Sequence, residues 1–197
     1  AGSVQGGDVS MTSRGALTVG TGWPSTWIRY DFATRGSFGI GIRSDLVYGN
    51  PSGNWNVGIG WSFNVPMRIQ VLDRRNWAMA IMLDPGFFMG FGDAWVYNHH
   101  NDWGNDVFII GPSFEFGLVA SVNPIRSLTV FFGMRIQTNI WIYSWDHYDS
   151  SVDVFVPIHP FGGVEWQASR SVALFGMFSV GPTIVSHDRC YWNGDRW

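Results

Sequence analysis

The sequence predicts an all-β, antiparallel fold, and two observations carry that prediction. The first is composition: aromatic residues, which favour strands, make up 17% of the chain, whereas lysine is absent and Glu115 and Glu165 are the two glutamates. The second is an alternation of apolar with small or polar residues that persists for about fifteen residues at a time. Because a strand places successive side chains on opposite faces, we expect long strands with one bulky apolar face.

Length and composition also exclude several classes of protein. At 197 residues the chain is expected to form one domain. A hydrophobic content of 46% excludes a disordered chain, and a net charge of −3 with scattered arginines provides no basic stripe for nucleic acid. The single Cys190 rules out an intrachain disulfide. Because the sequence contains no run of about 18 apolar residues, no transmembrane helix is expected.

The first strand segment, 15–33, alternates in two phases. Residues up to Val19 follow one phase, whereas residues from Ile28 follow the other. A bulge or break near Pro24 would reconcile the two phases within one strand. Splitting the segment at Pro24 would instead produce a ninth strand, although each half would be short.

Seven further segments alternate cleanly. In the clearest of them every odd position from Val57 to Val71 is apolar and every even position is small or polar. The seven segments are 38–48, 57–71, 77–91, 108–122, 128–142, 152–166 and 172–184. With 15–33 they make eight strands of roughly 12–18 residues, longer than the usual strand of about 5–6 residues. A tilt near 40° would turn such strands into a wall tall enough to cross a bilayer.

Short turns and longer loops alternate between these segments. Short turns that carry arginine are expected at 33–36, 73–76, 123–126 and 168–170, and longer loops at about 49–54, 92–106 and 144–151. The arginines of the short turns suit contact with lipid phosphates. With eight strands, the first strand would begin and the last would end at the rim of the long loops.

The two faces of the predicted strands differ in a way that favours a membrane barrel. One face carries large aliphatic and aromatic side chains, and the other carries Gly, Ala, Ser, Asn and charged residues. Because eight strands enclose room only for side chains or one small ligand, we expect the bulky face to point outward and contact lipid. Four tryptophans near strand ends would form interfacial girdles: Trp23, Trp61, Trp77 and Trp166. A soluble two-sheet sandwich is the alternative.

By this pattern the chain resembles the small eight-stranded outer-membrane barrels of Gram-negative bacteria, of the OmpA/OmpX kind. The resemblance covers about residues 14–186 and rests on alternation, not on a sequence motif. It implies a location in the bacterial outer membrane and insertion by the barrel-assembly machinery. The expected organisation is an N-terminal segment 1–13, a membrane-spanning up-and-down β-barrel of about eight strands over 14–186, and a C-terminal segment 187–197.

Charged residues lie on the face that would point into the lumen. They are Arg43, Asp45, Arg68, Asp84, Glu115, Arg135, His159 and Glu165. Since buried charges in a narrow lumen must be paired, we predict an ion-pair network that plugs the barrel. The alternative is a polar conduit for water, protons or small solutes, in which His159 would relay protons.

The predicted long loops gather aromatic and metal-ligating residue types. Exposed aromatics suit contact with a partner, although they would also order the loops by packing on one another; they are Trp95, Tyr97, Trp103, Trp145, Tyr148 and Trp192. The weak candidates for a metal site are His99, His147, His187 and Cys190, which lack any tight ligand spacing. We therefore expect no metal and no cofactor.

The function expected from the sequence is that of a non-enzymatic membrane barrel with a plugged lumen, which acts as a structural or interaction protein through its aromatic loop rim. Its partners would be outer-membrane lipid and a protein partner or a second copy, with no nucleic acid. The alternatives are a narrow porin-like channel and an accessory subunit of an envelope complex. An enzymatic function is weakly supported, because catalysis needs a nucleophile, a base and an orienting group close together. The nearest inward candidates are Ser113, His159 and Glu165, and the sequence does not align their depths.

Overall fold

In the computed structural model, the described residues form one antiparallel sheet of eleven strands. The structure describes residues 15–22, 25–32, 36–48, 59–74, 76–91, 108–144, 150–169 and 172–188. The strands are β1 (Gly15–Thr21), β2 (Ser25–Phe32), β3 (Phe38–Val47), β4 (Ile59–Asn64), β5 (Met67–Arg74), β6 (Trp77–Phe91), β7 (Phe108–Ile125), β8 (Leu128–Ser144), β9 (Ser150–Gln167), β10 (Ala173–Ser179) and β11 (Thr183–Asp188). The all-β, antiparallel prediction is confirmed. Within the described part of the chain, no helix is long and apolar enough to cross a membrane.

Sequential strands pair with one another, and two breaks caused by proline divide longer strands. The pairing path is β1-β2-β3-β4-β6-β7-β8-β9-β10, with β5 paired to β3 and β6, and β11 paired to β9. β4 and β5 keep one register against β3 across Val65 and Pro66. β10 and β11 likewise keep one register against β9 across Pro182. Because proline has no N–H to donate to the ladder, these two pairs are two long strands, each interrupted at a proline.

The described strands therefore make nine continuous segments, and the prediction of eight is wrong. The difference lies at the first segment, where the chain reverses and β1 pairs antiparallel with β2 from Gly15 opposite Phe32 to Thr21 opposite Thr26. The Gly22 amide donates to the Ser25 carbonyl across this reversal, at 3.1 Å. The change of alternation phase in the sequence thus corresponds to a turn and not to a bulge.

This extra strand changes where the sheet begins. We call the loop side the end at which β3, β6 and β8 finish, and the turn side the end at which β5, β7 and β9 finish. β1 begins on the turn side, because Gly15 lies opposite Phe32 at the end of β2. β11 finishes on the loop side, because Asp188 lies opposite Val152 near the start of β9. The prediction that the first strand begins and the last strand ends at the same rim is wrong, since nine is an odd number.

The sheet curls so that its first and last strands approach each other. The Trp27 indole on β2 lies over Gly20 on β1, where a Cβ atom would overlap the ring. The centroid of the same indole is 5.7 Å from that of Phe175 on β10. A side chain from the second strand of the path therefore crosses the first strand and contacts the last.

Alternation gives the curled sheet two contrasting faces. Directly opposite residues share a face, so Arg29, Arg43, Ser113 and Asn139 lie on one face, which we call the inner face. The opposite, outer face exposes a large apolar side chain on each of the eleven strands described. Within the described residues this separation agrees with the face pattern read from the sequence.

Two apolar clusters pack on the inner face of the longest strands. The loop-side cluster consists of Phe88, Ile109, Trp141 and Phe155. The turn-side cluster consists of Ala80, Met82, Val119, Phe131 and Phe161. In the loop-side cluster the Trp141 and Phe155 rings lie 4.1 Å apart, a contact that adds to the free energy of burial. Between the two clusters, the inner face of β6 to β9 carries Asp84, Glu115, Arg135 and His159.

Candidate functional site

A belt of polar and charged side chains crosses the inner face from β2 to β8 between the apolar clusters. We call it the polar belt; its members are Arg29, Asp31, Arg43, Asp45, Ser62, Asn64, Arg68, Asp84, Ser113, Glu115, Arg135, Gln137 and Asn139. On β6, for example, Asp84 lies between Met82 of the turn-side cluster and Phe88 of the loop-side cluster. Burial of so many charges requires that they compensate one another.

Two arginine–aspartate pairs on adjacent strands form one end of the belt. On β2 the Arg29 Nε donates to Asp31 Oδ1 at 2.8 Å, and on β3 the Arg43 Nε donates to Asp45 Oδ1 at 2.9 Å. In both pairs Nη2 contacts the same carboxylate oxygen. Residues two apart on a strand share a face, so each Arg-X-Asp sequence builds its own pair. Arg29 lies directly opposite Arg43, and each aspartate offsets the repulsion between the two guanidinium groups.

Hydrogen bonds carry the network from Asp45 across the neighbouring strands. The Ser62 hydroxyl donates to Asp45 Oδ2 at 2.9 Å, and the Asn64 amide donates to the same oxygen at 3.2 Å. Ser113 on β7 donates in turn to Asn64 Oδ1 at 3.3 Å. Because Asp45 accepts bonds through both carboxylate oxygens, it connects β3, β4 and β7 in one network.

Two carboxylates face each other at the centre of the belt. Asp84 on β6 lies directly opposite Glu115 on β7, an arrangement that is unfavourable for like charges. Arg43 Nη1 lies 4.0 Å from Asp84 Oδ2, and Arg135 Nε lies 3.6 Å from Glu115 Oε1. An arginine from each side thus offsets the repulsion. The guanidinium carbon of Arg135 also lies 4.2 Å from the centroid of the Phe161 ring, in a cation–π contact.

The other three charged residues predicted for the lumen lie on the same face. Arg68 is buried within electrostatic range of Arg29, Asp31, Arg135 and Glu165. His159 is half-buried and lies directly opposite Arg135. Glu165 is buried near the turn-side end of β9, opposite Thr129. The eight residues therefore share the inner face, and close ion pairs link Arg43 with Asp45 and Asp84, and Arg135 with Glu115.

The charge network predicted from the sequence leaves out three buried charged residues. Arg29 and Asp31 lie in the segment whose phase was ambiguous, although the repeated Arg-X-Asp spacing was a usable signal. Asp153 is buried on β9, opposite Trp141 in the register with β8 and opposite His187 in the register with β11. The alternation of this segment assigns Asp153 to the same face as Glu165, in agreement with the structure.

A cavity of about 40 Å³ lies within the belt, between charged residues from six strands. Its charged lining consists of Arg29, Arg43, Arg68, Asp84, Glu115 and Arg135. Since one water occupies about 10–15 Å³ by this measure, the cavity has room for two to four waters. Such a space can hydrate the ion pairs but is too small for an organic solute.

Most of the predicted loop-rim and metal residues lie outside the described ranges. These are Trp95, Tyr97, Trp103, Trp145, Tyr148 and Trp192, and likewise His99, His147 and Cys190. The backbone of His187 lies in β11. In the part of the chain that the structure describes, no three His, Cys, Asp or Glu side chains are grouped to hold a metal ion.

The three inward candidates for catalysis lie at different positions on the inner face. Ser113 lies opposite Asn139, His159 opposite Arg135, and Glu165 opposite Thr129. Along β9 alone, His159 and Glu165 are six residues apart, or about 20 Å in an extended strand. This arrangement offers no nucleophile and base within hydrogen-bonding reach of each other.

Comparison with protein-family models, curated proteins and solved structures finds no match to this chain. A functional assignment therefore rests on the physical contrast between the two faces of the sheet.

Proposed function

We propose that the chain is an integral β-barrel of the Gram-negative outer membrane, with a lumen plugged by the polar belt and the two apolar clusters. The observation that carries this proposal is the inversion of the two faces. Ion pairs are buried on the inner face, while large apolar side chains are exposed on the outer face of every described strand. In water such a distribution is unfavourable, whereas in a bilayer the outer face contacts hydrocarbon.

The size of the exposed apolar surface supports lipid as the surrounding medium. Many outer-face side chains, such as Phe91, Phe132 and Trp166, are about half exposed. Half of a large aromatic side chain is roughly 100 Å², so about six such residues already match the largest apolar patches of soluble monomers, roughly 300–600 Å². The outer face carries many more than six.

The positions of the outer-face tryptophans support a bilayer-spanning height. Trp77 begins β6 on the turn side, and Trp61 lies opposite Met89, twelve residues further along β6. Twelve residues of strand span about 40 Å, which a tilt near 40° reduces to about 30 Å along the membrane normal. That distance suits two aromatic girdles on either side of the hydrocarbon core. Trp166 lies with Trp77 on the turn side, and Trp23 lies outside the described ranges.

Closure of the sheet is supported by the contact between Trp27 and Phe175. In a closed barrel β1 would lie beside β10 and β11, and these strands run in the same direction because the segments number nine. The closing pair would then be parallel, unlike that of the OmpA/OmpX kind, in which the number of strands is even. We call this junction of β1 with β10 and β11 the seam.

The packing of the inner face favours a plug over a conducting channel. Apolar side chains lie on both sides of the belt along β6 to β9, and the cavity between them is about 40 Å³. In planar bilayers we expect no discrete ion-conducting openings. Stable openings whose conductance changes on Arg68→Gln or Arg135→Gln would support the channel instead.

We propose a structural or interaction role through the loop side, based on the aromatic residues of the predicted loops. Cys190 follows β11, which ends on the loop side, so its labelling reports which side of the membrane that rim faces. A large membrane-impermeant maleimide should label Cys190 on intact cells if the rim faces outward. Labelling only after the outer membrane is opened would favour an accessory subunit that docks to an envelope complex. Labelling of the protein in a soluble extract, with none in the membrane fraction, would overturn the barrel.

A further inference from the structure

Solvent reaches the inner face of the sheet at β10 and β11. Met177, Ser179 and Thr183 lie at inner-face positions yet are exposed, Met177 by 37%. Phe161 and Pro157, the β9 partners of Ser179 and Thr183, are buried. These exposed positions lie in the middle of the segment 173–188 and not at its ends. The inner face is therefore open sideways next to the seam, and we call this place the side opening.

Arg135 lies behind the side opening with donors that its neighbours satisfy poorly. Its Nη2 donates to the Met177 sulfur at 3.4 Å, and a thioether is a weak acceptor. Its Nε is buried without a hydrogen bond, because Glu115 Oε1 lies 3.6 Å away. The guanidinium group thus has capacity for a stronger acceptor in the place that Met177 occupies. A carboxylate fits a guanidinium in a bidentate pair.

The outer-face surface beside the side opening is strongly apolar. Phe178 and Val180 on the β10 side are 71% and 72% exposed, and Leu17 and Val19 on β1 are also exposed. These side chains alternate with the inner-face positions of the opening, so a polar group inside and an acyl chain outside would be only one strand thickness apart.

From this juxtaposition we propose that the side opening binds a single-chain amphiphile with a carboxylate head group. The carboxylate pairs with Arg135 after displacing the Met177 thioether, and the acyl chain lies on Phe178 and Val180. This inference rests on the proposed function, because it requires the outer face to contact lipid. The occupant is chosen by charge complementarity with Arg135 and by the apolar flank.

Two methionines of the chain allow a matched test. On a Cys190→Ser background, Met177→Cys places a bimane label at the side opening, and Met134→Cys places it on the outer face of β8. The protein is inserted in phosphatidylcholine vesicles that contain either dibromostearic acid or its methyl ester. The pH is set so that the acid is ionised. Bromine quenches bimane only at close range. Both probes should quench the Met134 label, whereas the acid should quench the Met177 label much more than the ester does.

Loss of the Arg135 charge should remove the difference between the probes. We expect Arg135→Gln to weaken the acid's apparent affinity at the Met177 label about tenfold or more. Ser179→Phe, which fills the opening and leaves Arg135 in place, should abolish quenching of that label by the acid. Quenching of the Met134 label in both variants checks insertion. Suppose that the label at position 134 is quenched, and that the acid and the ester quench the label at position 177 equally and weakly. That result would overturn the side-opening inference alone. Absence of quenching at Met134 would overturn the proposed function, and the inference with it.

Discussion

A single arginine placed at two depths on the outer face tests whether that face contacts lipid. Phe116 lies at the middle of β7, and Ile110 lies two residues from its loop-side start. Both belong to the outer face, and their exposures are nearly equal at 41% and 40%. The variants Phe116→Arg and Ile110→Arg therefore differ mainly in their depth within the proposed bilayer.

The expected cost follows from that depth. Arginine on the lipid face of a barrel costs about 2–4 kcal/mol near the bilayer midplane and about 0–1 kcal/mol near an interface. The ratio of folded to unfolded protein should accordingly fall roughly 30- to 700-fold for Phe116→Arg, but about fivefold or less for Ile110→Arg. In a water-soluble sheet both variants would stay within about 0.5 kcal/mol of the parent protein and of each other, because both sites are exposed.

The free energy of unfolding can be measured by reversible urea titration of the protein in phosphatidylcholine vesicles, with tryptophan fluorescence as the readout. Phe116→Ala and Ile110→Ala serve as controls for the loss of each apolar side chain. The reasoning is refuted if the arginine variants, each corrected by its alanine control, differ by less than about 0.5 kcal/mol. Such a result would mean that depth along β7 has no physical meaning and that the apolar outer face is covered by something other than a bilayer.

The remaining predictions concern packing and charge on the inner face. Gly20→Ala should destabilise the fold by about 1–3 kcal/mol in the same titration, because the added methyl group overlaps the Trp27 indole. Gly22→Ala is the control and should change the free energy of unfolding little, because the space around Gly22 is open. Equal effects of the two variants would contradict the packing of Trp27 over β1. Arg43→Met should cost about 3 kcal/mol, since it leaves the buried carboxylate of its partner unpaired, whereas Arg74→Met at an exposed strand end should stay within about 0.5 kcal/mol. If Arg43→Met leaves the free energy of unfolding unchanged, this ion pair does not stabilise the sheet.

Part of the candidate site follows from alternation alone. A period of two assigns Arg43, Arg68 and Arg135 to one face wherever the strand is known, and the structure places all three on the inner face. The same rule, applied from Ile28 onward, also assigns Arg29 and Asp31 to that face, but a turn and a bulge near Pro24 explain the phase change equally well when only the sequence is considered. The choice between them depends on whether β1 finds hydrogen-bonding partners on β2, which is a tertiary property.

For a related reason, the sequence does not determine which charged residues of the network pair with one another. Alternation tells that Asp84 and Glu115 share a face, but only the register of β6 against β7 places them directly opposite each other. The register of β7 against β8 likewise brings Arg135 near Glu115, so the two registers decide which charges compensate which. A shift of two residues between strands would preserve every apolar face and change the ion pairs that join different strands, so the alternation cannot specify those pairs.

The sequence by itself determined the all-β class, the long strands, and the separation of a bulky apolar face from a small, charged one. These properties are local: they follow from side-chain type and from the period of the extended chain. Tertiary structure alone decided the ninth segment, the opposite rims at which β1 begins and β11 ends, and the contact of Trp27 with Phe175 that brings the two ends of the sheet together. These three features depend on which strands pair and in which register. Residues far apart in the chain set that register through packing and hydrogen bonding.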